Sequence, residues 1–206
     1  MTTDLRPTTE EPTRRGPAWQ PYRLTVSQFL AMIDAGVFPY DAHVELLGGV
    51  LVQMMTKGDP HDYTLGAIAE ELRRSVPEGW LLREDKSLQL GPRSRPEPDV
   101  TIVRGPRQQY THRTPHARDT GLVVEVSDLS YAYDRSEKWR ASAAARIPIY
   151  WIVDLDKAQV EVHAEPIGRG KAAHYRLATI FGIDAEVPVV IDGRELGRVV
   201  VKEILP

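Results

Sequence analysis

Apolar residues recur every three or four positions in two stretches of the chain, a third stretch is alanine-rich and precedes Pro148, and each of the three predicts a helix. The first helix is predicted over residues 25–36, with Thr25 as its N-cap. The second is predicted over residues 59–76, with Asp59 as its N-cap, and the third over residues 134–146. The apolar stripe that the second helix is expected to bury consists of Leu65, Ile68, Ala69 and Leu72.

Shorter apolar runs bounded by Gly, Pro or polar residues predict strands. Residues 44–54 form a predicted hairpin with Gly48-Gly49 at its turn. Further strands are predicted over 80–90, 99–103, 122–126, 149–154, 159–164, 174–179 and 187–191. Residues 104–120 lack a clear period and predict a long loop. This order of helices and strands favours an α/β (α+β) fold in which helices flank a mixed β-sheet.

Two of the predicted strands contain a carboxylate in an otherwise apolar run. Asp99 follows Pro98 and opens Asp-Val-Thr-Ile-Val, and Glu125 interrupts Leu-Val-Val-Glu-Val. Such runs are typical of central strands buried on both faces, where a carboxylate is normally paired or binds a metal. A hard divalent cation held by two carboxylates on neighbouring strands, with Lys138 nearby, is suited to phosphodiester hydrolysis.

Length and composition indicate one globular domain, expected over residues 22–206. The chain has 206 residues, of which 42% are hydrophobic and 27% are charged. Residues 1–21 are polar, have no signal-peptide core and predict a disordered tail. No apolar run approaches the roughly 18 residues needed to span a bilayer, so no membrane partner is expected. The absence of cysteine excludes disulfides and fits a cytoplasmic location.

The net charge of −3 argues weakly against a protein that coats nucleic acid, but the distribution of charge matters more than its sum. Residues 92–118 contain six arginines and only two carboxylates, one of which is Asp99. The arginines are Arg93, Arg95, Arg104, Arg107, Arg113 and Arg118. This segment either meets a phosphate backbone or is a solvated loop with scattered arginines.

The order Pro98-Asp99, Glu125 and Lys138 resembles the PD-(D/E)xK nuclease superfamily, which has the restriction-endonuclease-like fold. The match departs from the usual pattern because Ser127 stands where the strand lysine is expected. A closer resemblance is to the Uma-type family of restriction endonucleases, and it covers about residues 24–165. Its motifs here are Val124-Glu125-Val126-Ser127, Tyr133-Asp134-Arg135-Ser136-Glu137-Lys138 and Tyr150-Trp151-Ile152-Val153-Asp154.

That resemblance implies a Mg²⁺ site, with Mn²⁺ as a substitute, formed by Asp99, Glu125 and the carbonyl of Val126. It also implies that Lys138 replaces the strand lysine, orients the attacking water and stabilises charge on the phosphoryl oxygens. Glu45, in Glu-Leu-Leu-Gly-Gly, matches a family glutamate that faces the active site from the N-terminal hairpin. The alternative to a metal site is that backbone amides or arginine bind Asp99 and Glu125. The alternative for Glu45 is that it lies on the solvent face of the hairpin.

Asp134 and His61 are accessory candidates. Asp134 and Lys138 are spaced i, i+4, which on an ordinary helix gives a surface salt bridge of little energy. Asp134 either orients Lys138 or caps the helix. His61 matches a family histidine that would contact phosphate or transfer a proton, although a histidine at a helix start is more often polar surface.

The function implied by the resemblance is a metal-dependent endonuclease that hydrolyses DNA phosphodiester bonds. A homodimer is compatible with cutting both strands, but no interface is evident from the sequence. The alternative is a catalytically weak or inactive DNA-binding or interaction module that retains the nuclease fold. The missing strand lysine and the acidic isoelectric point favour that alternative.

Overall fold

A computed structural model of the chain describes residues 19–39 and 41–206. The predicted disordered tail, residues 1–21, lies outside the described residues except for its last three. The α-helices are α1 (Val26–Asp34), α2 (Asp59–Ser75), α3 (Tyr131–Tyr133), α4 (Trp139–Ala144) and α5 (Val201–Ile204). A π-helical turn (Asp134–Lys138) joins α3 to α4, and 3₁₀ turns cover Arg107–Tyr110, Ala117–Asp119 and Gly170–Ala172. None of the described helices is long and apolar enough to cross a bilayer.

The strands form a six-stranded sheet and two separate hairpins. They are β1 (Val44–Leu47), β2 (Val50–Gln53), β3 (Trp80–Glu84), β4 (Val100–Arg104), β5 (Thr120–Ser127), β6 (Ile149–Asp154), β7 (Gln159–Ile167), β8 (His174–Gly182), β9 (Glu186–Ile191) and β10 (Arg194–Val200). The hairpins are β1–β2 and β9–β10, and the sheet has the order β3-β4-β5-β6-β7-β8. Its neighbouring strands are antiparallel except for β5 and β6, which are parallel. The predicted mixed sheet flanked by helices is confirmed.

Both faces of the central sheet are covered, which explains why β4, β5 and β6 are almost entirely buried and rich in Val and Ile. One face packs on α5, on the β9–β10 hairpin and on α2, whose predicted apolar stripe is buried there. The other face packs on α4 through a second cluster that includes Tyr150 and Ile152. The α1 helix packs on the β1–β2 hairpin through Phe29 and Leu46.

The register of β4 and β5 brings the two predicted metal ligands together. In this antiparallel pair Val100 lies opposite Val124, and Thr101 lies opposite Val123. Continuing that register by one residue sets Asp99 opposite Glu125. Glu125 also shares a strand face with Val123, which packs in the cluster under α4. The candidate site therefore forms where the pairing of β4 with β5 ends.

Two element boundaries near the site differ from the predictions. The strand predicted over 80–90 ends at Glu84, because Asp85 has a left-handed backbone conformation (φ 46°) that an extended strand does not allow. The N-cap of α2 is Gly58 rather than Asp59, which is the first residue of the helix.

Other differences arise further along the chain. The third predicted helix begins three residues earlier, at Tyr131, and the loop predicted over 104–120 contains two 3₁₀ turns. β10 and α5 have no counterpart among the predicted elements. The alternation of β10 is hidden because its register shifts between Glu195 and Gly197.

Candidate active site

Three carboxylates surround the ammonium group of Lys138 in the interior of the protein. Lys138 Nζ lies 3.0 Å from Glu125 Oε2, 3.4 Å from Glu45 Oε1 and 3.7 Å from Asp134 Oδ1. Each of these four side chains is at most 5% exposed. The structure thus brings together four of the predicted site residues, and Glu45 is not on the solvent face.

Asp99 lies beside this cluster and is held by three donors. Its Oδ1 accepts a hydrogen bond from Lys57 Nζ (2.6 Å) and lies 3.2 Å from His61 Nε2. Its Oδ2 accepts from the backbone N–H of Val126 (2.7 Å). Because the N–H and carbonyl of one strand residue point to the same side, the Val126 carbonyl also faces β4. That is the side on which a metal ligand from this residue would have to lie.

The π-helical turn determines how Asp134 and Lys138 face the sheet, and such turns occur often at functional sites. The hydroxyls of Ser127 (2.8 Å) and Ser130 donate to Asp134 Oδ2, and the Tyr150 hydroxyl donates to the Asp134 carbonyl (2.9 Å). Ser127, at the position of the missing strand lysine, therefore helps to hold Asp134. Since the helix begins before Asp134, this carboxylate lies beside Lys138 and does not cap the helix.

Burial and charge act in opposite directions on the Lys138 cluster. Burial raises the pKa of Glu125 well above its ordinary value, although Lys138 opposes the shift. Burial also raises the pKa of Glu45. The pKa of Lys138 would fall on burial alone, but Glu125, Glu45 and Asp134 outweigh that effect and raise it well above its ordinary value. Lys138 is therefore a cation throughout the physiological pH range.

The electrostatic balance is different at Asp99. Burial would raise its pKa, but the hydrogen bond from His61 and the charges of Lys57 and Lys138 hold that pKa at about 2. The pKa of His61 is raised, because its contacts with Asp99 outweigh the effect of burial. Asp99 is therefore an anion at neutral pH, as a metal-binding carboxylate must be.

The donor set fits a hard divalent cation of the Mg²⁺ type. Glu45 Oε2 and Asp134 Oδ1 are buried oxygens without a hydrogen-bond partner among the described residues. Together with Asp99 and Glu125 they place four carboxyl groups beside two lysines. In the described part of the chain no group of three or more His, Cys, Asp or Glu side chains is arranged to hold a metal ion by itself, but Mg²⁺ commonly uses one or two carboxylates and keeps several waters. The residues fit an ion held by Asp99, Glu125 and a backbone carbonyl, and not a closed protein cage.

Lys57 is the site residue that no sequence pattern indicates. It lies in the polar stretch before α2, yet its side chain bridges Asp85 (2.5 Å) and Asp99 (2.6 Å). His61, an accessory candidate, is buried against Asp99 and does not lie on the polar surface. The sequence indicates neither contact, because both depend on where α2 and the segment before it pack.

The arginine-rich segment divides into two groups. Arg104 pairs with Asp192 (2.9 Å) and Arg113 pairs with Asp119 (2.5 Å), so the charges of these two arginines are matched within the protein. The others form no ion pair with the described residues; they are Arg93, Arg95, Arg107 and Arg118.

Comparison with known proteins identifies both a family and a fold. The family model Uma2, described as "Putative restriction endonuclease", matches residues 26–196 of the chain. The search of curated proteins found no match to this chain. A protein from Anabaena variabilis ATCC 29413, described as "a putative nuclease belonging to DUF820", has a similar structure with a TM-score of 0.65. The two are 14% identical, and the similarity covers 88% of this chain and 97% of that chain. At that identity the likeness demonstrates a shared fold.

Proposed function

This chain belongs to the Uma2 family, and from that membership and the buried site we infer that it is a metal-dependent endonuclease that hydrolyses DNA phosphodiester bonds. The observation that supports the inference is a pair of buried carboxylates, Asp99 immediately before β4 and Glu125 on the neighbouring strand β5, with Lys138 Nζ 3.0 Å from Glu125. A structural core does not need this arrangement, because apolar residues in place of buried ion pairs are often neutral or stabilising.

We assign the ion, Mg²⁺ or Mn²⁺, to Asp99, Glu125 and the Val126 carbonyl, where it would supply Lewis-acid activation of the phosphoryl group and of a water. His61 and the Val126 N–H hold the Asp99 carboxylate in place. Lys138 contributes a fixed positive charge that orients the attacking water. Glu125, Glu45 and Asp134 raise the pKa of Lys138, which favours the protonated form in this role.

Glu45 and Lys57 complete the proposed assignment. Glu45 contacts Lys138 and holds it against the sheet. Lys57 is the more accessible lysine, with 37% of its side chain exposed against 5% for Lys138. We therefore assign to Lys57 the contact with a non-bridging phosphoryl oxygen, where positive charge stabilises the transition state.

Cleavage of supercoiled plasmid and of single-stranded DNA in Mn²⁺, Mg²⁺ or EDTA tests the proposal. We expect metal-dependent cutting by the wild type and a loss of at least about 100-fold in Asp99→Ala and Glu125→Ala. Lys57→Met should lose at least about 10-fold. Asp184→Ala removes an exposed carboxylate and is the matched control. Circular dichroism verifies folding, and wild-type-like cutting by folded Asp99→Ala would refute the metal assignment.

The second candidate is a DNA-binding module without catalysis, which Ser127 at the strand-lysine position favours. DNA binding without cutting on either substrate would support it.

Cleavage of both strands by a homodimer also belongs to the proposed nuclease function. Sedimentation of the protein–DNA complex measures how many copies of the chain it contains.

A further inference from the structure

A groove of about 650 Å³ runs along the free edge of β3, between that strand, α2 and the 3₁₀ turn Arg107–Tyr110. Four cationic side chains and one carboxylate, that of Glu84, line it. The cationic residues are Arg73, Arg83, Lys86 and Arg107. Glu84 is already paired with one of them, Arg73. The groove therefore presents three positive charges that its own walls do not neutralise.

The three remaining cations are available to an anion. Lys86 and Arg107 are exposed and form no ion pair with the described residues. Arg83 is half-buried, donates to the Ser87 carbonyl (3.2 Å) and has its guanidinium 5.9 Å from the centre of the Tyr110 ring. Burial lowers the pKa of Arg83, and the like charge of Arg95 lowers it further. A bound anion would relieve both the burial of charge and the repulsion.

The groove adjoins the candidate active site. Arg83 lies opposite Thr101 in the β3–β4 pair. Two residues further along, the backbone N–H of Asp85 donates to the Asp99 carbonyl (3.0 Å). Two residues of a strand span about 7 Å, so Arg83 lies one short step along the sheet from the carboxylate assigned to the metal.

We propose that this groove binds the phosphate backbone of the DNA strand next to the phosphate that is cut, through Arg83, Lys86 and Arg107. Guanidinium and ammonium groups are the usual donors to phosphate oxygens, and their charge complements the DNA backbone. Contacts of this kind read no base, so the groove provides affinity and position without sequence preference. The identity of the ligand rests on the proposed function, whereas the charge and position of the groove do not.

Fluorescence anisotropy with labelled DNA and the full chain in EDTA tests the groove without cleavage. Separate titrations with a single strand and with a duplex of the same sequence distinguish the two forms of DNA. We expect Lys86→Gln/Arg107→Gln to bind about 10-fold more weakly, and the slope of log K against log salt to fall by about 1.4 for a single strand or 1.8 for a duplex. Arg169→Gln/Lys171→Gln removes the same charge from exposed residues in the β7–β8 turn, near the opposite edge of the sheet. This control should bind within about twofold of the wild type.

The outcomes separate the groove from the proposed enzyme. If both double variants bind DNA equally more weakly than the wild type, the effect is only one of net charge, and the proposal that the groove binds DNA is refuted. Absence of DNA binding by the wild type, or unchanged binding by Lys86→Gln/Arg107→Gln, would also overturn it. If only Lys86→Gln/Arg107→Gln loses DNA binding and the wild type does not cut DNA in Mn²⁺, the assignment of DNA binding to the groove is supported and the nuclease assignment fails.

Discussion

Lys138 and its carboxylates depend on one another, because the charge of this residue is compensated within the fold. Its ammonium group contacts Glu45, Glu125 and Asp134, all of which are buried. Removing one partner of a buried ion pair leaves the other charge uncompensated and costs about 3–5 kcal/mol, whereas removing both partners costs less. Residues assigned to catalysis therefore also contribute to the stability of the interior.

We expect Lys138→Met to lower the free energy of unfolding at pH 7 by about 3 kcal/mol or more, as measured by urea titration. The double variant Glu125→Gln/Lys138→Met should lose at least about 1 kcal/mol less than the sum of the two single variants. Lys202→Met removes an exposed lysine of α5 and should change stability by no more than about 0.5 kcal/mol. Additive losses would contradict the proposed mutual dependence.

At the scale of elements, Glu161 on β7 connects the sheet to the helical segment between β5 and β6, which consists of α3, the π-helical turn and α4. Its Oε1 accepts a hydrogen bond from the Tyr131 hydroxyl (2.6 Å), and its Oε2 accepts from Arg135 Nε (3.0 Å). His163 Nε2 lies 3.1 Å from the same Oε2. Tyr131 and Arg135 lie on either side of the first residue of the π-helical turn. Their contacts with Glu161 therefore help to hold the turn, and with it Lys138, against the sheet.

His163 gives this region a pH dependence. Its pKa is lowered to about 4, first by burial and then by the charge of Arg135. The unfolded chain protonates histidine near pH 6.5, so protons favour unfolding between about pH 6.5 and pH 4. The contribution to stability is complete above the unfolded pKa and is lost as the pH falls toward 4.

Lowering the pH from 7 to 5 should therefore remove about 2 kcal/mol from the free energy of unfolding through this histidine. Urea titrations at the two pH values measure the change, which should be smaller by that amount in His163→Gln. The matched control is His174→Gln, which removes an exposed histidine of β8. An equal loss in all three proteins would exclude His163 as the cause.

At the scale of the whole molecule, the site forms where separate parts of the chain meet. The β1–β2 hairpin provides Glu45, the segment between β2 and α2 provides Lys57, and the start of α2 provides His61. The residue before β4, strand β5 and the π-helical turn provide the remaining groups. An ion that binds such a site binds only the folded protein, and this raises the melting temperature.

Excess Mn²⁺ should therefore stabilise the wild type. At 100 times its Kd a bound ion adds about 2.7 kcal/mol, which for a chain of this size raises the melting temperature by about 5–10 °C relative to EDTA. Asp99→Asn removes one proposed ligand charge and should abolish most of the shift. Equal shifts in the wild type and the variant, measured by differential scanning fluorimetry, would indicate binding elsewhere.

Much of this organisation can be predicted from the amino-acid pattern. Local periodicity indicates most helices and strands, and uninterrupted apolar runs indicate the central strands. A carboxylate inside such a run attracts attention because its burial is costly without a partner. Asp99 and Glu125 can therefore be identified as candidate site residues from the sequence alone. The order of these motifs also indicates the Uma-type family, which the family match confirms.

The partners of those carboxylates follow only from the tertiary structure. Lys57 and Asp99 are 42 residues apart, and neither lies in a motif that requires the other. The burial of His61, the π-helical turn and the cationic groove along β3 likewise depend on how elements pack. Contacts between distant segments leave no periodic trace in one sequence, because periodicity reports which face of an element is buried and not what lies against it.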